Sequence, residues 1–305
     1  MKLGAWRRLV PIERVRNPPP VVAVLRLSGI IGQLGPLRTG LTLGGLAEAI
    51  ERAFSLRRLR AVALAVNSPG GSAVQSALIC GRIRALAEEN EVPVFAFAED
   101  VAGSGGYWLA LAGDEIFADE SSIIGSVGVV FKSFGLAEAI GRLGIERRVY
   151  TAGEQKSLLD PFTPEDPDDV ARIKAIQGDV HETFKAMVRA RRQGKLKAEE
   201  EELFSGAFWS GRRALELGLI DGIGDLRTVM RERFGDEVRL RVVTPQRPWL
   251  KRRFGPGLGP RHWDGHWHGA SPAGVPSLGA SAGAELVAGI ITAIEERALW
   301  SRFGL

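Results

Sequence analysis

The stretch Arg60-Ala-Val-Ala-Leu-Ala-Val-Asn-Ser-Pro-Gly-Gly-Ser72 decides the fold class of this chain. Residues 60–66 are short and almost continuously apolar, as in a strand buried on both faces. Gly70 and Gly71 then let the backbone turn tightly and leave N–H groups uncovered at the positive end of the helix expected over residues 73–89. Working outward, residues 92–98 read as the next strand, 105–112 as a short helix and 115–118 as a short strand. On the other side, a strand over 21–27 and a Gly-rich loop over 29–45 precede a helix over 46–56. Such alternation indicates an α/β fold, a parallel sheet with helices on both faces.

Further along, strands are expected over 125–131 and 147–150, with a helix over 136–143 between them. The prolines and acidic residues of 161–169 open a long helix that ends near Arg192, closed by Gln193-Gly194-Lys195. Helices over 212–217 and 226–234 and a strand over 238–243 complete the pattern. After Pro245 it decays into Gly, Pro, Ser and Trp, so the expected division is a basic leader (1–20), one folded domain (21–244), a disordered Gly/Pro-rich linker (245–284) and an amphipathic C-terminal helix (285–305). That last helix would place Leu286, Ile290, Ile294 and Leu299 or Trp300 on one side, suited to docking on a partner.

Composition narrows the function. The 305 residues include one cysteine, Cys80, so a disulfide framework and a cysteine-based zinc site are excluded. Neither a secretory h-region nor a membrane-length apolar run is present, which predicts a cytoplasmic protein whose membrane contact is at most peripheral. The net charge of +4 is modest, and the basic runs read as solvated faces, so no nucleic-acid partner is expected. His262, His266 and His268 are close enough to share a metal, but their Gly/Pro surroundings predict an exposed segment, and neither a metal nor a cofactor is expected.

Two turns after strands carry the chemistry. The Gly70-Gly71-Ser72 turn has the character of an oxyanion hole, although a tight connection would use the same residues. In Ala102-Gly-Ser-Gly-Gly-Tyr-Trp108, Ser104 opens a helix between glycines that leave room for a substrate carbonyl. An ordinary helix N-cap is the other account of that serine. His181 lies mid-helix and the other three histidines in the tail, so a Ser-His-Asp triad is not expected. A lysine with a neutral amine is the remaining common base, and Lys156 stands alone between Lys132 and Lys174 in a loop after a strand.

Taken together, Asn67-Ser-Pro-Gly-Gly71, Gly103-Ser-Gly-Gly-Tyr-Trp108, Gly125-Ser-Val-Gly-Val129, and Trp209-Ser-Gly211 through Gly218-Leu-Ile-Asp221 resemble the signal peptide peptidase A (SppA) family. These are serine-lysine peptidases of the Clp/crotonase superfamily. The resemblance runs over residues 21–234 and implies a Clp/crotonase-like sheet, with Ser104 as nucleophile and Lys156 as base. It further implies Gly71 and Ser72 at the oxyanion hole, Ser126 as the hydroxyl that orients the lysine, and peptide substrates. It also implies a homo-oligomeric ring whose site is shared between subunits. Gly103 stands where relatives often carry alanine or serine, and the membrane anchor of many members is not seen. A crotonase-type acyl-CoA enzyme and a catalytically silent oligomeric scaffold are the alternatives on the same fold.

Overall fold

Runs of small and β-branched side chains, buried on both faces, build the centre of the molecule. The computed structural model describes residues 19–33, 40–153, 155–244, 294 and 297–304. In chain order these form β1 (Val21–Ser28), α1 (Leu43–Phe54), β2 (Leu59–Ser68), α2 (Ala73–Glu89), β3 (Val94–Gly103), α3 (Gly105–Ala110), β4 (Glu115–Ala118) and β5 (Ile123–Gly125). There follow α4 (Ala137–Arg142), α5 (Pro167–Arg191), α6 (Glu200–Leu203), β6 (Phe208–Ser210), α7 (Gly211–Glu216), β7 (Gly222–Ile223), α8 (Leu226–Phe234) and β8 (Arg239–Val243). The expected linker and the histidines 262–268 lie outside the described residues, as does the leader except for Pro19 and Pro20.

One sheet runs in the order β6-β5-β3-β2-β1-β8, with β4 beside β3 and β7 beside β4. All its pairings are parallel except β5 with β6. Side chains alternate between two apolar layers. Leu25, Leu27, Val62, Leu64 and Val66 face α1, α2 and α3, where Ile50, Ile79, Ile83 and Tyr107 meet them. Val22, Val24, Ala63, Phe95 and Phe97 face the other way, against Val229 and Met230 of α8. Helices therefore cover both faces of a mainly parallel sheet, as the sequence pattern predicts.

Strand β3 sets the position of the site. Its first half pairs with β4 and its second half, Val101–Gly103, with β5. Between the halves the register against β2 shifts. Asn67 spans the break, donating to Asp100 Oδ2 at 2.6 Å and accepting from the Val101 amide at 3.3 Å. The bent second half delivers Gly103 and Ser104 beyond the ends of β1 and β2, the side of a parallel sheet where ligands bind.

The helices expected over 73–89 and 226–234 have those limits, and the others expected within 21–244 lie close to theirs. Of the helix expected over 285–305, only residues 294 and 297–304 are described, so Leu286 and Ile290 lie outside the described residues. The long helix begins with Asp166 capping the Asp168 amide and Pro167 in its first turn, as its composition implies. Two expected strands are corrected. The run 125–131 is a strand only as far as Gly125, where β5 ends, and 147–150 is not a strand. Both stretches have strand-like composition, but Val130, Phe131, Val149 and Tyr150 are exposed, and no neighbouring strand offers a ladder. The strand expected over 92–98 instead continues to Gly103, past the charged pair Glu99-Asp100 that hid its second half.

Candidate active site

Ser104 is held in a conformation that L-residues rarely adopt, with φ 51° and ψ −120°. Strain of this kind costs about 1–3 kcal/mol and persists only where the surroundings impose it. Here β3 imposes it: the Ser104 amide extends the ladder to the Gly125 carbonyl at 2.7 Å, while its own carbonyl already accepts from Trp108 in α3 at 3.1 Å. The chain must turn from strand to helix within one residue. The Ser104 hydroxyl caps nothing in α3, so the N-cap account of this serine does not hold.

The Gly70-Gly71 turn is clamped against that serine. Ile31 donates to the Gly70 carbonyl at 2.9 Å and accepts from the Ser72 amide at 2.8 Å, a single parallel bridge to a distant loop. A side chain at Gly71, where φ is 141°, would overlap the Ile31 carbonyl. The bridge also corrects the expectation for Ser72. Its amide is committed to Ile31 and its hydroxyl accepts from the Gln75 amide as the N-cap of α2, so its amide is not available to an oxyanion. The Gly71 amide remains without a partner among the described residues. So does that of Gly105, at the first position of α3, where a helix supplies no acceptor one turn back. Gly105 was missed in the sequence because its glycine neighbours drew attention to space around the serine rather than to the amide beside it.

These groups open into a cleft of about 540 Å³ lined by Ser104, Gly71, Ser126, Val129, His181 and Phe184, among others. Ser126 is buried at φ 55°, and its amide is bound to the Ala207 carbonyl at 2.6 Å. Its hydroxyl has no partner among the described residues. The sequence reading sets His181 aside as a mid-helix residue, yet it stands on the cleft wall with Nε2 3.2 Å from the Val127 carbonyl. A carbonyl only accepts, so that nitrogen carries a hydrogen and is not a base for Ser104. Cys80 is fully buried, and burial, only partly offset by Arg191 and Arg84, pushes its thiol up to about 12, which leaves it a packing residue.

Lys156 is not in this cleft. It lies in an exposed turn, its amide bonded to the Gly153 carbonyl at 3.3 Å, and its ammonium has no partner among the described residues. Within one chain the structure therefore does not bring Lys156 to Ser104. A larger depression of about 690 Å³ on the opposite face, lined by Val24, Phe97 and Leu240 with Arg26 and Glu99 at its rim, contains neither residue. Arg26 and Glu99 form an ion pair at 2.9 Å there. Among the described residues no group of three or more metal-ligating side chains is found, and no helix is long and apolar enough to cross a membrane.

Comparison with known proteins adds the lineage. The description of peptidase family S49 matches residues 87–237, the span that holds Ser104, Ser126 and Lys156. A Brucella abortus protein named Na(+)/H(+) antiporter NhaA is 48% identical over 303 residues, which is 99% of this chain and 39% of that protein. The chloroplastic serine protease SPPA of Arabidopsis thaliana is 32% identical over 213 residues, or 67% of this chain and 31% of its own length. The chain thus spans about two-fifths or less of each of these relatives. The antiporter name belongs to that longer protein. Among solved structures, a serine-to-alanine mutant of 1510-N, a membrane-bound stomatin-specific protease, aligns over 75% of this chain and 99% of its own, with a TM-score of 0.45 and 16% identity. On the family match and the named protease relatives together, this chain belongs to peptidase family S49, the SppA family.

Proposed function

We propose that this chain is a serine endopeptidase that hydrolyses extended, apolar peptides through an acyl-enzyme on Ser104. The observation that carries this reading is the strained, uncapped Ser104 hydroxyl at a cleft, beside two unpartnered amides, Gly71 and Gly105. The Lys156 amine takes the proton from Ser104 Oγ, which bonds to the peptide carbonyl carbon. The developing oxyanion is received by the two amides, whose orientation is fixed before substrate arrives by the Ile31 bridge and by α3. Collapse breaks the C–N bond, and the lysine returns the proton to the leaving amine. Water, deprotonated by the same lysine, then bonds to the acyl carbon, and as the C–Oγ bond breaks and the acid leaves, the lysine returns the proton to Ser104 Oγ.

The lysine is supplied by a second copy of the chain. Lys156 is exposed and lies outside the cleft of its own chain, on an arm that carries several solvent-facing apolar side chains. Ser126, with its unpaired hydroxyl on the cleft wall, would receive and orient the incoming ammonium or amine. The apolar walls formed by Val129, Val130 and Phe184 suit small apolar residues on either side of the cut.

Labelling with a fluorophosphonate probe tests the reading. The probe is expected to modify the wild-type protein at Ser104 and to leave Ser104→Ala unmodified, with hydrolysis of fluorogenic apolar peptides lost in parallel. An acyl-CoA enzyme of the crotonase type would resist the probe and process a thioester instead. A silent scaffold would do neither, and either result would remove the peptidase assignment.

A further inference from the structure

The cleft beside Ser104 is partly filled by the chain's own residues 297–304. This segment forms a helical turn that closes with the Phe303 amide on the Trp300 carbonyl at 2.9 Å and the Gly304 amide on the Ser301 carbonyl at 3.1 Å. Gly304 takes φ 78° to end it. Phe303 is only 6% exposed although it lies far along the chain from every strand. Its ring meets Phe208 of β6 edge-on at 5.2 Å between centroids. It also packs directly against Gly103: a Cβ there would fall 2.8 Å from Phe303 Cζ and 3.2 Å from Cε1. Glycine immediately before the nucleophile is therefore what makes the seat for the ring. Four residues earlier, on the same side of the turn, Leu299 lines the cleft together with Ser104, and so does Arg302, whose guanidinium sits 5.8 Å from the centre of the Phe303 ring.

We propose that Gly103, Phe208 and the adjoining cleft wall form a docking site for a helical turn with apolar side chains at positions i and i+4. In this chain Leu299 and Phe303 fill it, and while they do, an extended peptide is kept from Ser104. The inference rests on the reading of Ser104 as the nucleophile for its consequence, but not for the docking itself. Occupancy by a covalently attached segment acts at a high effective concentration, so a free peptide binds only in the fraction of molecules whose turn is displaced. The phenyl ring supplies most of the apolar surface that the turn buries, and its removal shifts the balance toward the open cleft.

The test measures binding in the inactive Ser104→Ala background, on the full chain, with a fluorescent peptide of alternating alanine and leucine. Adding Phe303→Ala is expected to tighten its apparent Kd about tenfold or more. Leu299→Gln, which leaves the aromatic seat in place, should tighten it by a smaller factor. In the active background, Phe303→Ala should raise the rate of fluorophosphonate labelling of Ser104 by a similar factor. Unchanged or weakened peptide binding in both variants, each with an unaltered circular dichroism spectrum, overturns the proposal. Should Phe303→Ala fail to fold, the Leu299→Gln result decides alone. Tightened binding together with absent labelling in the active background would keep the docking site and remove the nucleophile reading instead.

Discussion

At Ser104 the backbone and the chemistry are one problem. The strand must end, the helix must start, and the hydroxyl must face the cleft, so the residue sits at φ 51°, a region that glycine enters without a clash. Ser104→Gly removes the nucleophile and releases the strain, whereas Ser104→Ala removes the nucleophile and keeps it. The glycine variant is therefore expected to be more stable than the alanine variant by about 1 kcal/mol, the relief of strain being partly offset by the entropy of glycine in the unfolded chain. Urea unfolding of the two inactive proteins checks this, and an alanine variant of equal or greater stability would mean that the site is unstrained. The position of Ser104 at a strand-to-helix turn was legible in the sequence from its flanking glycines, but its strain was not, because φ is set by β5 and α3 together. Ser72 was misread for a related reason. Whether its amide is free depends on Ile31, which lies 41 positions earlier and reaches it only once the sheet is assembled.

Among the elements, the connection between α7 and β7 shows a motif whose purpose is structural. Gly218-Leu-Ile-Asp221 helped to reveal the family, yet none of its residues lines the Ser104 cleft. The Gly218 carbonyl accepts from Arg192 Nη2 at 2.7 Å, and the Leu219 carbonyl accepts from the Tyr107 hydroxyl at 2.7 Å. The Asp221 carboxylate accepts from Arg192 at 2.6 Å, Lys195 at 2.7 Å and the Ile116 amide at 2.8 Å. Burial alone would raise the Asp221 pKa, but these three donors and the charge of Arg192 hold it below its ordinary 3.8. A carboxyl depressed on folding contributes stability that is present above its unfolded value and lost as pH falls through the folded one. Asp221→Asn should therefore cost about 3 kcal/mol at pH 7, because Arg192, 2% exposed, loses its counter-charge. It should also flatten the loss of stability that the wild type shows between about pH 5 and 3. Denaturant melts across that range measure both, and an unchanged acid limb would remove Asp221 from the account. The long helices were legible where they carry their own periodicity, as in α1 and α8. The two- and three-residue strands β6 and β7 carry none, and exist only where β5 and β4 offer an edge.

On the scale of the molecule, the largest departure from the sequence reading is itself informative. Residues 129–150 have the composition of strand ends with a helix between them, but in one chain they lie open, with Phe134 82%, Leu143 73% and Tyr150 90% exposed. An apolar face of this kind marks an interaction surface. Lys156 follows on the same arm, so a neighbour that covers the arm would also receive the lysine. A ring built from head-to-tail contacts opposes two different surfaces of the same fold, which in the proposed assembly would be the arm of one copy and the Ser104 cleft of the next. Ser104→Ala and Lys156→Ala should each be inactive alone. When the two are unfolded and refolded together in equal amounts, about a quarter of the sites join an intact serine to an intact lysine, and about that fraction of wild-type peptide hydrolysis should return. Introducing Phe134→Asp into both partners places a charge in the apolar contact, and should abolish the recovery while leaving the sheet folded. Hydrolysis of a fluorogenic apolar peptide, read beside sedimentation of the mixture, gives the answer. Mixed oligomers without recovered activity, or full activity from a sedimenting monomer, would place the base within the chain that carries the serine.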